Sequence, residues 1–185
     1  MSQETLPNGL PKTHRFITDH NSSGQAIFST QLPEEQPWQD IEGMANFALA
    51  YTTDKYPVDF NSNQDVNSYK SYLDQKPGLV INGGTVLRIV DMPPGALSPM
   101  HRTVSLDYGV VLEGEVYLEL DSGEKRLMRR GDISIQRGTN HAWRNTSSTQ
   151  WARMLYMLQE SKPIEVEGKK LGEDYGNMKE VRASS

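Results

Sequence analysis

Three runs decide the fold: Leu106-Asp-Tyr-Gly-Val-Val-Leu112, then Glu115-Val-Tyr-Leu-Glu-Leu120 and, across Asp121-Ser-Gly-Glu124, Lys125-Arg-Leu-Met-Arg129. In the middle run Val116, Leu118 and Leu120 point one way while Glu115, Tyr117 and Glu119 point the other, the period of two that belongs to a half-buried strand. Gly123 can supply the positive φ that a tight hairpin needs. Outward from here the same texture repeats at Thr85–Met92, Asp132–Gln136, His141–Asn145 and Trp151–Gln159. Short β-runs broken by turn residues at regular spacing predict an all-β sandwich or barrel. Trp151–Gln159 alternates least, as a strand between two packed layers does.

The barrel is expected to occupy residues 76–160, after the turn at Lys76-Pro-Gly78. Residues 1–75 read as an N-terminal arm with short strands at His14–His20, Gln25–Thr30 and Asn46–Thr53, packing on the barrel or on a partner subunit. Within the arm Val66–Leu73 is open between a surface loop and a short helix. Residues 161–185 read as a C-terminal tail with a frayed end.

The chain has 185 residues, a net charge of −5 and no cysteine. Disulfides, thiolate metal sites and cysteine nucleophiles are thereby excluded. No basic stretch is long enough to follow a phosphate backbone, so nucleic acid is not an expected partner. No apolar run approaches the roughly 18–20 residues that span a bilayer, and no leader pattern opens the chain. The expectation is a cytoplasmic protein, not associated with membrane, that binds a small molecule. Candidate chemistry rests on His, Asp and Glu. Period two places His141, Trp143 and Asn145 on one face and Asp107, Gly109 and Val111 on another, so an imidazole and a carboxylate can share a barrel interior. His14 and His20 fall in the arm, where a solvated role is the default.

Two segments resemble the paired motifs of the cupin superfamily. In the first, Gly95, His101, Asp107 and Gly114 stand at the family's spacing for glycine, first histidine, carboxylate and final glycine. In the second, Gly131, Gly138, His141 and Asn145 match a pattern of glycine, Pro-x-Gly, histidine and asparagine, one residue short after Gly131 and with Gln136 where proline is usual. The resemblance covers residues 85–158 and is similar to a subgroup of small single-domain cupins of bacteria and fungi. It implies a single jelly-roll (double-stranded β-helix) barrel, a homodimer, and a tailoring role on polyketide-like or related metabolites.

Metal-binding members of that superfamily carry His-x-His, Glu and His where this chain has His101, Thr103, Asp107 and His141. Two imidazoles and one carboxylate are also the ligand set of non-haem Fe(II) centres. A single divalent ion (Fe, Mn, Zn or Ni) on His101, Asp107 and His141 is therefore one of two open alternatives; no organic cofactor is implied. In the metal-free alternative the same three residues are catalytic, Asp107 or one histidine removing a proton α to a carbonyl and the other histidine protonating a leaving hydroxyl. Desolvation is expected to push carboxyl and imidazole pKa values together, toward neutrality. Arg88, Met100, Thr103, Tyr108, Gln136 and Trp143 are the candidate substrate contacts. The expected activity is a lyase, a dehydratase or decarboxylase acting on an oxygen-rich organic acid. An Fe(II)-dependent dioxygenase and a non-catalytic small-molecule binder are the alternatives.

Overall fold

The structure is a computed structural model that describes residues 4–41, 43–178, 182 and 184. In chain order the strands are β1 (Thr18–His20), β2 (Ala26–Phe28), β3 (Trp38–Ile41) and β4 (Ala45–Thr53), followed by helix α1 (Gln64–Asp74). Then come β5 (Thr85–Met92), β6 (Ser105–Glu113), β7 (Glu115–Leu120), β8 (Lys125–Arg129), β9 (Ile133–Arg137), β10 (His141–Asn145), β11 (Ala152–Glu160), β12 (Ile164–Val166) and β13 (Lys169–Leu171). The seven runs read in the barrel are all present, each within a residue or so of its expected bounds. Hairpin β7–β8 closes over Gly123, whose φ is +87°.

Two sheets make the barrel. One has six strands in the order β3-β4-β5-β11-β6-β9, and the other has three in the order β10-β7-β8. All pairings within them are antiparallel. Their inner faces meet over Val90, Met92, Val111, Val116, Met128, Trp143, Ala152 and Met154. Each large apolar side chain so removed from water stabilises the fold by about 1.5–3 kcal/mol. A second cluster of Leu79, Val80, Ile81, Val86 and Leu158 closes one end.

The arm is more integrated than the sequence suggests. β4 pairs with β5 over Asn46–Thr53 and β3 adds outside it, so the barrel's main sheet begins at Trp38 rather than after Lys76. The open segment resolves as α1, with Val66 and Tyr69 buried on one face three residues apart. The Tyr69 hydroxyl donates to the Leu49 carbonyl at 2.6 Å, fixing the helix to β4.

Asn8 and Pro11 anchor the arm's first residues to a buried ion pair. Arg153 and Asp91, 2% and 0% exposed, form a two-pronged pair with N–O distances of 2.6 and 2.7 Å. The Asn8 amide donates to Asp91, Arg153 donates to the Pro11 carbonyl, and Trp38 lies 5.1 Å under the guanidinium. The tail also returns to the barrel. After the hairpin β12–β13, Asp174 bridges to Arg102 through paired backbone hydrogen bonds, and Met178 reaches the barrel interior.

Candidate active site

Register fixes the inner face of the large sheet. Val86, Arg88, Val90 and Met92 of β5 stand opposite Leu158, Tyr156, Met154 and Ala152 of β11. Leu158, Tyr156 and Met154 in turn oppose Asp107, Gly109 and Val111 of β6, and Asp107 opposes Gln136 of β9. Opposed residues share a face, so Arg88, Tyr156, Asp107 and Gln136 all point inward. Gly109 is required here: a Cβ would lie 2.5 Å from Ser134 Oγ and 3.1 Å from the Tyr156 ring.

His101 and His141 arrive from the other wall. They face one another as an antiparallel bridge, exchanging both backbone hydrogen bonds at 2.9 Å, with ring centroids 4.3 Å apart. Trp143 stands edge-on to His141 at 5.7 Å and to Tyr156 at 5.4 Å. The three predicted catalytic residues thus line one cup of about 100 Å³, with Arg88, Thr103, Gln136 and Trp143.

Met100 and Tyr108 are not in its wall. Tyr108 follows Asp107 on β6, and strand alternation turns it to the opposite face; Met100 lies just outside, its carbonyl close against Gly176. The sequence reading missed Phe47, Tyr156 and Met178, which complete the cup from β4, β11 and the tail. The Tyr156 signal was available, because it shares alternation with Met154 and Leu158. Met178 had none, since nothing local ties a tail to a barrel mouth. His14 and His20 are exposed in the arm.

The protonation states follow from partners. Nδ1 of His101 lies 2.8 Å from the Pro99 carbonyl and Nδ1 of His141 lies 2.9 Å from the Thr139 carbonyl. A carbonyl oxygen only accepts, so both Nδ1 atoms carry hydrogen. Burial lowers both imidazole pKa values, that of His141 to about 3 with His101 as a second cause. Both rings are therefore neutral at pH 7, each with a bare Nε2 lone pair.

Burial raises the Asp107 carboxyl to about 6, against hydrogen bonds from Ser105 and Thr103 that favour its charged form. Against His141 the usual order is reversed: the Asp107 carboxylate is the stronger base. Of the two, the carboxyl is the better placed to carry a proton near neutral pH.

Two donors share the large-sheet wall with Asp107. Arg88 is 7% exposed, donates to the Gly78 carbonyl at 3.1 Å, stacks on Phe47 at 5.1 Å and has no carboxylate partner among the described residues. Burial lowers its pKa to about 10, so it remains charged. Its neighbours in type are engaged elsewhere: Arg144 pairs with Glu119 at 2.6 Å and Arg102 donates to Gly172. Gln136 accepts from Thr139 through Oε1, while its buried Nε2 has no partner.

The expected three-residue metal set does not form. Among the described residues no three His, Cys, Asp or Glu side chains gather closely enough to hold an ion. The short Asp107 side chain is turned onto Ser105 and Thr103, which leaves only a pair of imidazole nitrogens.

The sheets form an antiparallel jelly roll with a polar cluster lining its cup, and comparison with known proteins identifies the family. The Cupin domain family matches residues 88–158. The chain is 54% identical over 171 residues to the Phomopsin biosynthesis cluster protein D of Diaporthe leptostromiformis, spanning 92% of this chain and 90% of that one. It is 48% identical to the Oryzines biosynthesis cluster protein J of Aspergillus oryzae, over 92% and 95% of the two chains. It is 42% identical to the Cupin-domain-containing oxidoreductase fogC of Aspergillus ruber, over 88% and 80%. Among solved structures, the cupin domain of Schizosaccharomyces pombe Cnp3 aligns with a TM-score of 0.48 and 14% identity, over 81% of this chain and 89% of that one. The chain belongs to the cupin family, and its relatives include proteins of fungal secondary-metabolite clusters. No helix among the described residues is long and apolar enough to cross a membrane.

Proposed function

We propose that this cupin is a tailoring enzyme of secondary metabolism, a lyase that removes water or CO₂ from a hydroxylated organic acid by proton transfer. The observation that carries the reading is the division of the cup. Acceptors (Asp107 and the bare nitrogens of His101 and His141) share its wall with donors that have capacity to spare: Arg88, bonded to the Gly78 carbonyl but with no carboxylate partner among the described residues, and Gln136 Nε2. A buried charge without a partner is costly, and a substrate carboxylate at Arg88 removes that cost.

With the carboxylate so held, Asp107 takes the proton α to the carbonyl. The electron pair left on that carbon moves toward the oxygen, where Arg88 and Gln136 stabilise the developing charge. The imidazole nitrogens accept hydrogen bonds from the β-hydroxyl and orient it. As the C–O bond breaks, protonated Asp107 returns its proton to the departing oxygen, releasing water with no change of oxidation state. In a decarboxylation the bond from carbon to the carboxylate breaks instead, CO₂ leaves, the electron pair stays on carbon, and Asp107, protonated from solvent beforehand, gives that carbon its proton. A carboxyl near pKa 6 suits both halves of such a cycle.

The test is a screen of hydroxylated, carboxylated aromatic and polyketide-like compounds for loss of water or CO₂, with and without chelator. Activity insensitive to chelator and reduced roughly 10²-fold or more in Asp107→Asn supports the reading. A second reading, an oxidoreductase, is favoured by the names of relatives such as that of Aspergillus ruber. It requires a change of oxidation state, read as oxygen uptake with substrate, and that result displaces the lyase; bound metal alone does not, because a Lewis acid also serves a lyase.

A further inference from the structure

The cup is too small for most organic ligands. Its roughly 100 Å³ equals the volume of about three waters, whereas small-molecule sites usually offer about 300–1,000 Å³. A second hollow of about 480 Å³ opens on the other side of Arg88 and Phe47, which belong to the walls of both. It is framed by β3 and β4, by the last turn of α1 and by the Lys76–Pro77 turn; Trp38, Leu49, Tyr72 and Leu73 give it an apolar wall, and Asp74, Lys76 and Arg182 add charged groups. Gln39 opposes Phe47 and Leu49 opposes Arg88 in the sheet register, so the groove continues the same inner face. The cation at the junction is more than nine-tenths buried and has no anionic partner among the described residues.

Resting on the carboxylate assignment above, we infer that the groove is a second subsite and that the substrate is a branched carboxylic acid. Its carboxylate sits at Arg88, a short hydroxylated arm of a few heavy atoms enters the cup, and a larger apolar or aromatic arm on the neighbouring carbon lies in the groove. The cup sets the chemistry. The groove, built mostly from the segment that precedes the cupin motifs, with Arg88 and Arg182 added, selects the molecule.

Two probes separate these parts: 3-hydroxybutanoate, which fills only the cup and the Arg88 position, and its 2-(2-phenylethyl) derivative, which adds the second arm. Calorimetry should show the derivative binding the whole protein at least tenfold more tightly. Gln39→Trp and Leu73→Trp narrow the groove from two different elements. In whichever variant keeps the parent's melting temperature, the gain should disappear while affinity for 3-hydroxybutanoate is unchanged. Arg88→Gln should weaken both probes. A gain that is absent in the parent, or that survives both tryptophan variants, overturns the subsite and leaves the cup assignment standing. Failure of 3-hydroxybutanoate to bind, or its equal binding by Arg88→Gln, overturns the carboxylate assignment and the subsite with it.

Discussion

Asp107 sits where its charge costs most. Its carboxyl titrates near 6 in the folded chain against about 3.8 in the unfolded one, so between these values the folded state holds a proton that the unfolded state has released. Stability falls as pH rises through that window, and above pH 6 the full penalty, about 3 kcal/mol, is present. Asp107→Asn removes it. The melting temperature of the variant minus that of the parent should increase from pH 4.5 to pH 7.5, as calorimetry across that range can measure. A difference that does not vary with pH would show that Asp107 is not held in this state. The cause is visible only in three dimensions. Spacing located Asp107, His101 and His141, but the neutral rings and the raised carboxyl come from the depth of burial, and the tautomer comes from the Pro99 and Thr139 carbonyls, none of which a local pattern carries.

At the scale of elements, what was legible is what alternates. Strands β5 to β11 declare themselves through period two and through turns such as the one at Gly123. β3 does not: Trp38-Gln-Asp-Ile41 has too few residues to display a period, and it becomes a strand because β4 offers it an edge. The attachment of the arm was likewise hidden, because Asp91 and Arg153 are distant in sequence and each looks like an ordinary surface charge. Asp91→Ala leaves the Arg153 guanidinium buried and unpaired, and should destabilise the protein by about 3–5 kcal/mol in denaturant unfolding. Asn8→Ala removes one hydrogen bond to the same carboxylate and should cost only about 1–2 kcal/mol. Equal effects would mean that the pair is not the anchor.

Over the whole molecule, a sheet shared with the arm and a tail that returns to the barrel surround one cup. The tail contributes Met178 to the cup and is held through Arg102, Gly172 and Asp174. Deleting residues 172–185 should therefore weaken 3-hydroxybutanoate binding roughly tenfold, the equivalent of one well-buried apolar contact. Unchanged affinity would assign the tail no part in the site. The central claim is that Asp107 moves a proton at substrate carbon in a cup whose anion hold is Arg88. The most direct measurement follows solvent deuterium into C3 of 4-hydroxy-2-oxopentanoate, whose carboxylate suits Arg88 and whose C3 protons lie α to a ketone. Exchange well above background, equal with and without chelator and oxygen, and about 10²-fold slower in Asp107→Asn is the predicted result. No exchange above background, or exchange at the parent rate in Asp107→Asn, would contradict it.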